Sequence, residues 1–92
     1  LINGNAGDYV GHDMINGSIV VNGNAGYYVG EQMKNGSLVV NGNVGYQVGD
    51  WMKSGEIHLN GDYISISDLR QGGRIYHKGK LIVKDGRRLK WP

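Results

Sequence analysis

Three residues that could bind a cation recur at one position of a nineteen-residue pattern: His12, Glu31 and Asp50. Imidazole and carboxylate groups are common metal ligands in proteins. If the pattern reflects stacked coils, the three side chains would lie in one column. No motif with metal-ligand spacing, such as His-x-x-x-His, accompanies them. The sequence therefore favours a solvated polar column over a metal site.

Other motifs that carry chemistry are missing from the 92 residues. The chain has no Cys, which excludes thiolate-bound zinc, iron–sulfur clusters and a cysteine nucleophile within it. No serine lies in the Gly-x-Ser-x-Gly motif of hydrolases, and no glycine-rich phosphate loop is present. The sequence therefore predicts no catalytic residue and no cofactor-binding residue in this chain.

The nineteen-residue pattern determines the predicted architecture. Apolar residues hold fixed positions in it, as at Met14, Met33 and Met52. A period of about 20 residues is typical of stacked repeat proteins. We interpret three glycine series as structural corners of successive coils: Gly4, Gly23 and Gly42; Gly7, Gly26 and Gly45; Gly11, Gly30 and Gly49.

Short strands between glycine corners favour a β-helix. Glycine every few residues would break an α-helix, whereas residues 18–21 alternate in the manner of a strand. Six Asn-Gly pairs raise hairpins as a rival, but hairpins do not require identical positions nineteen residues apart. Nineteen is not a multiple of six, which argues against a left-handed hexapeptide helix. We predict an all-β, single-stranded, right-handed parallel β-helix of about 4–5 coils with an atypical C-terminal cap.

Parallel stacking would place like residues above one another at the strand spacing of ~4.8 Å. The sequence then predicts an amide ladder of the kind found in cross-β structures. A second amide ladder is expected two residues further along each coil. The two predicted ladders are Asn3, Asn22, Asn41 and Asn60, and Asn5, Asn24 and Asn43.

The pattern divides one domain into three parts. Residues 1–61 hold three nineteen-residue repeats, residues 62–86 depart from the pattern and are predicted to form the final coil and cap, and residues 87–92 form a basic tail. We interpret the stack as N-terminally truncated. The unpaired edge of its first coil is expected to favour self-association.

The candidate partner interface is an apolar stripe on the outer face of the predicted strands, together with two tyrosines. Strand alternation directs every second side chain outward. Exposed apolar stripes and aromatic residues are typical of protein interfaces. The alternative is that the tyrosines only cover corners of the coil. The interface residues are Leu1, Val20, Val39, Tyr27 and Tyr46.

Charge is distributed unevenly along the chain. Residues 1–69 carry two basic and seven acidic side chains, whereas residues 70–92 carry eight basic and one acidic. Such asymmetry can steer a partner onto one face, or it can belong to a solvated basic tail. No apolar run approaches the length of a transmembrane helix. We expect a cytoplasmic protein that binds neither membrane nor nucleic acid.

The repeat and the C-terminal segment resemble a known family. The pattern G-x-x-G-x-x-x-G-x-x-M-x-x-G-x-[IL]-x-[VL]-x-G is complete from Gly4 to Gly23 and from Gly23 to Gly42. It is similar to the repeat of the glutamate synthase C-terminal domain. It is more similar to the glycine-repeat subunit of the tungsten or molybdenum formylmethanofuran dehydrogenases, whose final segment also resembles residues 72–83.

This resemblance implies a right-handed β-helix and a non-catalytic scaffold subunit. The complex would be an oxidoreductase that reduces CO2 to formylmethanofuran in archaeal methanogenesis. Molybdopterin with tungsten or molybdenum, and the iron–sulfur clusters, would belong to the other subunits, which would be this chain's partners. Two alternatives stay open: the structural domain of a glutamate synthase, and a small β-helical module that binds a ligand or a metal.

Overall fold

The computed structural model describes residues 1–89. Within these residues the chain forms no helix, and its strands make one six-stranded sheet in chain order. The first four strands are parallel, as consecutive turns of a solenoid of about three turns. The strands are β1 (Ser18–Val21), β2 (Ser37–Val40), β3 (Glu56–Leu59), β4 (Arg74–His77), β5 (Lys80–Lys84) and β6 (Arg87–Arg88). The predicted all-β solenoid is confirmed.

The register of the parallel strands follows the repeat. Leu38 pairs with Ile19 on one side and Ile57 on the other, in steps of nineteen residues. The step from Ile57 to Ile75 is eighteen, because one residue fewer connects β3 to β4. After β4 the chain reverses direction, since β5 pairs antiparallel with β4 and β6 antiparallel with β5. The predicted basic tail at 87–92 thus begins inside the sheet, and residues 90–92 lie outside the described part.

The core is a narrow column of apolar side chains enclosed by the coils. Leu38, Ile57 and Ile75 point inward from the strands and are fully buried. Met33 and Met52 fill the column from the segments that precede β2 and β3, again with no exposure. Each inward side chain of this size stabilises the fold by about 1.5–3 kcal/mol through burial. Burial of apolar side chains that stack at the same position of successive coils is therefore the main contribution to the stability of the fold.

One of the two predicted amide ladders forms. The Nδ2 of Asn22 donates to the Oδ1 of Asn3 at 3.2 Å. Asn41 donates in the same way to Asn22 at 2.9 Å, and Asn60 donates to Asn41 at 2.8 Å. Each inner carboxamide thus donates once and accepts once along the solenoid axis, as in the ladders of cross-β structures.

The second predicted ladder does not join carboxamides to each other. The Oδ1 of Asn5 accepts from the backbone N–H of Asn24 at 2.8 Å, and the Oδ1 of Asn24 accepts from that of Asn43 at 2.8 Å. Asn43 accepts in the same way from the backbone of Asp62 at 2.9 Å. The prediction was wrong because short Asn side chains compete for backbone N–H groups where the chain bends away from the strand.

Replacing Asn24 by Ala is expected to lower the free energy of unfolding by about 1–2 kcal/mol, since the N–H of Asn43 would lose its acceptor. Asn24→Asp is the matched control, because it keeps an oxygen at this point. A carboxylate already accepts such a bond elsewhere in the stack, because Oδ1 of Asp8 accepts from the N–H of Tyr27 at 2.9 Å. Urea denaturation would measure the free energy of unfolding of both variants. Equal losses in the two variants would contradict the role of the Asn24 oxygen as the acceptor for Asn43.

Candidate partner interface

A continuous column of side chains runs along the outer face of the sheet. Strand register aligns Val20, Val39, His58 and Tyr76, and the bridge that precedes β1 places Leu1 at the column's end. Leu1 is 81% exposed, and the other four side chains are half-buried. We call these five residues the outward column. It presents three aliphatic side chains and two rings along the full height of the parallel stack.

The two rings of the outward column were not part of the predicted interface. The centroids of His58 and Tyr76 lie 4.5 Å apart, and their planes differ by 2°. Glu56 holds the imidazole, with Oε1 3.2 Å from Nε2 of His58. The nineteen-residue spacing from Val39 identifies the position of His58, but Tyr76 follows after eighteen residues. The same step of eighteen residues separates Gly55 from Gly73, and this spacing is the sequence signal that could have identified the second ring.

The tyrosines form two further stacks at the corners of the coils. Tyr27 and Tyr46 lie 5.2 Å apart at 27°, and they are 46% and 49% exposed. Tyr9 and Tyr28 stack at 5.1 Å and 8°. Within residues 1–89, no ring contact joins either stack to the outward column. The predicted interface residues thus belong to two separate groups.

The structure brings two of the three candidate cation ligands together. The Nδ1 of His12 lies 3.0 Å from Oε1 of Glu31, and its Nε2 lies 3.2 Å from Oδ2 of Asp13. Asp50 is buried instead, with 8% exposure, and it accepts a hydrogen bond from the hydroxyl of Ser67 at 2.7 Å. No group of three acidic, His or Cys side chains that could hold a metal ion occurs in residues 1–89.

A polar groove of about 420 Å³ follows one corner of the stack. Carboxamide, hydroxyl and carboxylate groups dominate its lining, with one guanidinium at the end near β4. Glu56 and Arg74 approach each other there to 3.9 Å. The repeat position shared by Asn16, Asn35 and Ser54 is the sequence signal for this groove. Its lining comprises Asn16, Asn35, Gly36, Ser37, Ser54, Gly55, Glu56, Gly73, Arg74 and Asp85.

The basic C-terminal segment surrounds a partly buried arginine. The Nε of Arg70 donates to the carbonyl of Gly86 at 3.1 Å. Its Nη1 is buried and has no hydrogen-bond partner among the described residues. Burial lowers the pKa of Arg70 from its usual value, and Asp68 opposes this effect.

Comparison of the chain with protein-family models, curated proteins and solved structures gives no match. Among residues 1–89 there is also no helix that could cross a membrane. The fold and the surfaces described above are therefore the basis for assigning a function.

Proposed function

We propose that this chain is a non-catalytic scaffold for the other subunits of an oxidoreductase complex similar to formylmethanofuran dehydrogenase. The observation that carries the proposal is the outward column, which extends an apolar and aromatic surface along a rigid parallel sheet. Aromatic side chains are enriched among the residues that anchor protein interfaces. Tyr76, whose ring stacks on that of His58 at one end of the outward column, fits that role.

The proposal includes a right-handed coil of about 4–5 turns whose antiparallel end acts as a cap. The cap would be β5 and β6, because charged residues on a short edge strand discourage pairing with another chain. β6 consists only of Arg87 and Arg88, which are both exposed. We also propose that the edge of the first coil supports self-association.

The chemistry of the proposed complex would lie outside this chain. Molybdopterin with tungsten or molybdenum, and iron–sulfur clusters, would be held by the partner subunits in the cytoplasm. The outward column would contact those subunits and position them. Because a scaffold needs a fixed surface, the hydrogen-bonded ladder and the apolar core would serve this function by holding neighbouring coils in register.

Val39→Asp is expected to weaken assembly, because it places a charge in the middle of the apolar outward column. The chain would carry an affinity tag and be co-expressed with the remaining subunits of a formylmethanofuran dehydrogenase. Loss of an interface anchor typically costs about 2 kcal/mol, or roughly 30-fold in Kd. Co-elution in size-exclusion chromatography and titration of the purified subunits would measure the effect.

Gln32→Asp is the matched control for that experiment. Gln32 is exposed, lies away from the outward column and shares its repeat position and positive φ with Asp13. The control should therefore fold and assemble as the parent chain does. Circular dichroism would verify that Val39→Asp is folded. A folded Val39→Asp variant that assembles with unchanged affinity would refute the role of the outward column, and a parent chain that binds none of the subunits would refute the proposed complex.

A further inference from the structure

Asparagine followed by glycine is the dipeptide that most readily loses ammonia, because glycine carries no side chain to hinder attack by its backbone nitrogen. The asparagines of all six such pairs are exposed, so access to solvent does not distinguish them. Hydrogen bonding does distinguish them. The six asparagines are Asn3, Asn16, Asn22, Asn35, Asn41 and Asn60.

The two inner residues of the amide ladder are held at both reacting groups. Asn22 and Asn41 each donate through Nδ2 and accept through Oδ1. The glycine nitrogens that would attack them are also engaged, since the N–H of Gly23 donates to the carbonyl of Gly4 at 3.1 Å and that of Gly42 to Gly23 at 3.0 Å. Reaction at either asparagine therefore requires the local stack to open first.

Asn16 and Asn35 have neither protection. In the described part of the chain, their carboxamides make no hydrogen bond, and the N–H groups of Gly17 and Gly36 donate to no acceptor. Both asparagines lie on the rim of the polar groove. We propose that Asn16 and Asn35 are sites of spontaneous deamidation, whereas the ladder asparagines are preserved by the fold.

The reaction needs only water. The backbone nitrogen of Gly36 attacks Cγ of Asn35, a nitrogen–carbon bond forms, and the Cγ–Nδ2 bond breaks. Ammonia leaves with the proton from the glycine N–H, and a cyclic imide remains. Water then adds to one of the two imide carbonyls, and the ring opens to aspartate or isoaspartate. The same steps convert Asn16 through the nitrogen of Gly17, with no change in oxidation state.

The products change the groove. Each conversion adds one negative charge to a rim that already holds Glu56 and Asp85. Conversion at both sites takes the formal net charge of the chain from +2 to zero. The isoaspartate product also lengthens the backbone by one carbon immediately before β1 or β2. Deamidation therefore alters the charge and shape of this groove and leaves the amide ladder intact.

The test is to incubate the folded chain at mildly alkaline pH and to follow each site by peptide mapping with mass spectrometry. We expect Asn16 and Asn35 to react at least about tenfold faster than Asn22 and Asn41, because the latter need local opening. Asn3 and Asn60, at the ends of the ladder, should react at intermediate rates, since each makes only one carboxamide bond of the ladder.

Two controls separate the fold from the local sequence. In concentrated urea all six sites should react at similar rates, since each asparagine precedes glycine. Asn41→Ala removes a ladder partner from both Asn22 and Asn60, so both should react faster while Asn16 does not change. Similar rates in the folded parent chain, or the same order in urea, would overturn the proposal. If Asn41→Ala does not fold, the comparison of the six deamidation rates in the folded parent chain and in urea still tests the proposal.

Discussion

Replacing Gly42 by Ala is expected to lower the free energy of unfolding by about 3 kcal/mol or more, because the added carbon would overlap the coil beneath it. A Cβ on Gly42 would lie 2.5 Å from the carbonyl oxygen of Gly23 and would also meet the side-chain oxygen of Asn24. Both atoms take part in the stack, since the N–H of Gly42 donates to Gly23 and the N–H of Asn43 donates to Asn24. Relief of the overlap would break these bonds.

Gly4→Ala is the matched control, because Gly4 holds the same repeat position in the first coil. A Cβ on Gly4 would meet nothing within 4 Å. The expected change in unfolding free energy is within about 1 kcal/mol, in either direction. Urea denaturation followed by circular dichroism would compare the two variants. A small loss of unfolding free energy for Gly42→Ala would contradict the close approach of the coils at Gly42 and Gly23.

Met33→Ala is expected to cost about 2–5 kcal/mol, since it removes a fully buried side chain from the core and leaves a cavity. Met33 has no exposed surface. Its Cε packs closely against Gly55 in the next coil. If Gly55 carried a Cβ, that atom would lie 3.0 Å from the Cε of Met33. A domain of this length is stabilised by roughly 5–14 kcal/mol in total, so this one truncation would remove a large fraction of the stability.

The control for the cavity is Met14→Ala, at the same repeat position in the first coil. Met14 is only partly buried and packs against the edge of the core. We expect Met14→Ala to lower the free energy of unfolding by about half as much as Met33→Ala, because folding removes less of the apolar surface of Met14 from water. Chemical denaturation would measure both losses. Equal losses would indicate that the first coil packs as tightly as the second.

Much of the fold could be predicted from residue spacing. Like residues nineteen apart can satisfy every repeat at once only if coils stack in parallel, and the pairing of Val20 with Val39 follows directly. The inward direction of Leu38 and the first amide ladder follow from the same argument. A periodic sequence repeats each local environment, so one correct assignment extends to every coil.

The contacts made by the aperiodic segment could not be predicted from the repeat. One residue fewer before β4 brought Tyr76 beside His58, and the reversal into β5 depended on contacts with the last parallel strand. Asp50 shares its repeat position with Glu31, yet it is buried and accepts a hydrogen bond from Ser67, which lies outside the regular repeat. Each outcome depends on a neighbour that the repeat does not encode.

Residue spacing alone was sufficient to predict the all-β stack, its nineteen-residue period and most of the residues that line its core, because periodic spacing admits one pairing register. The use of the polar side chains, in contrast, depends on the three-dimensional arrangement of the coils. Asn22 bonds to another carboxamide, whereas Asn24, two residues later, bonds to a backbone N–H, and Asn35 bonds to neither. The three share a residue type, but the backbone donors and acceptors within reach of each differ. Those partners are set by the bend of the chain in three dimensions.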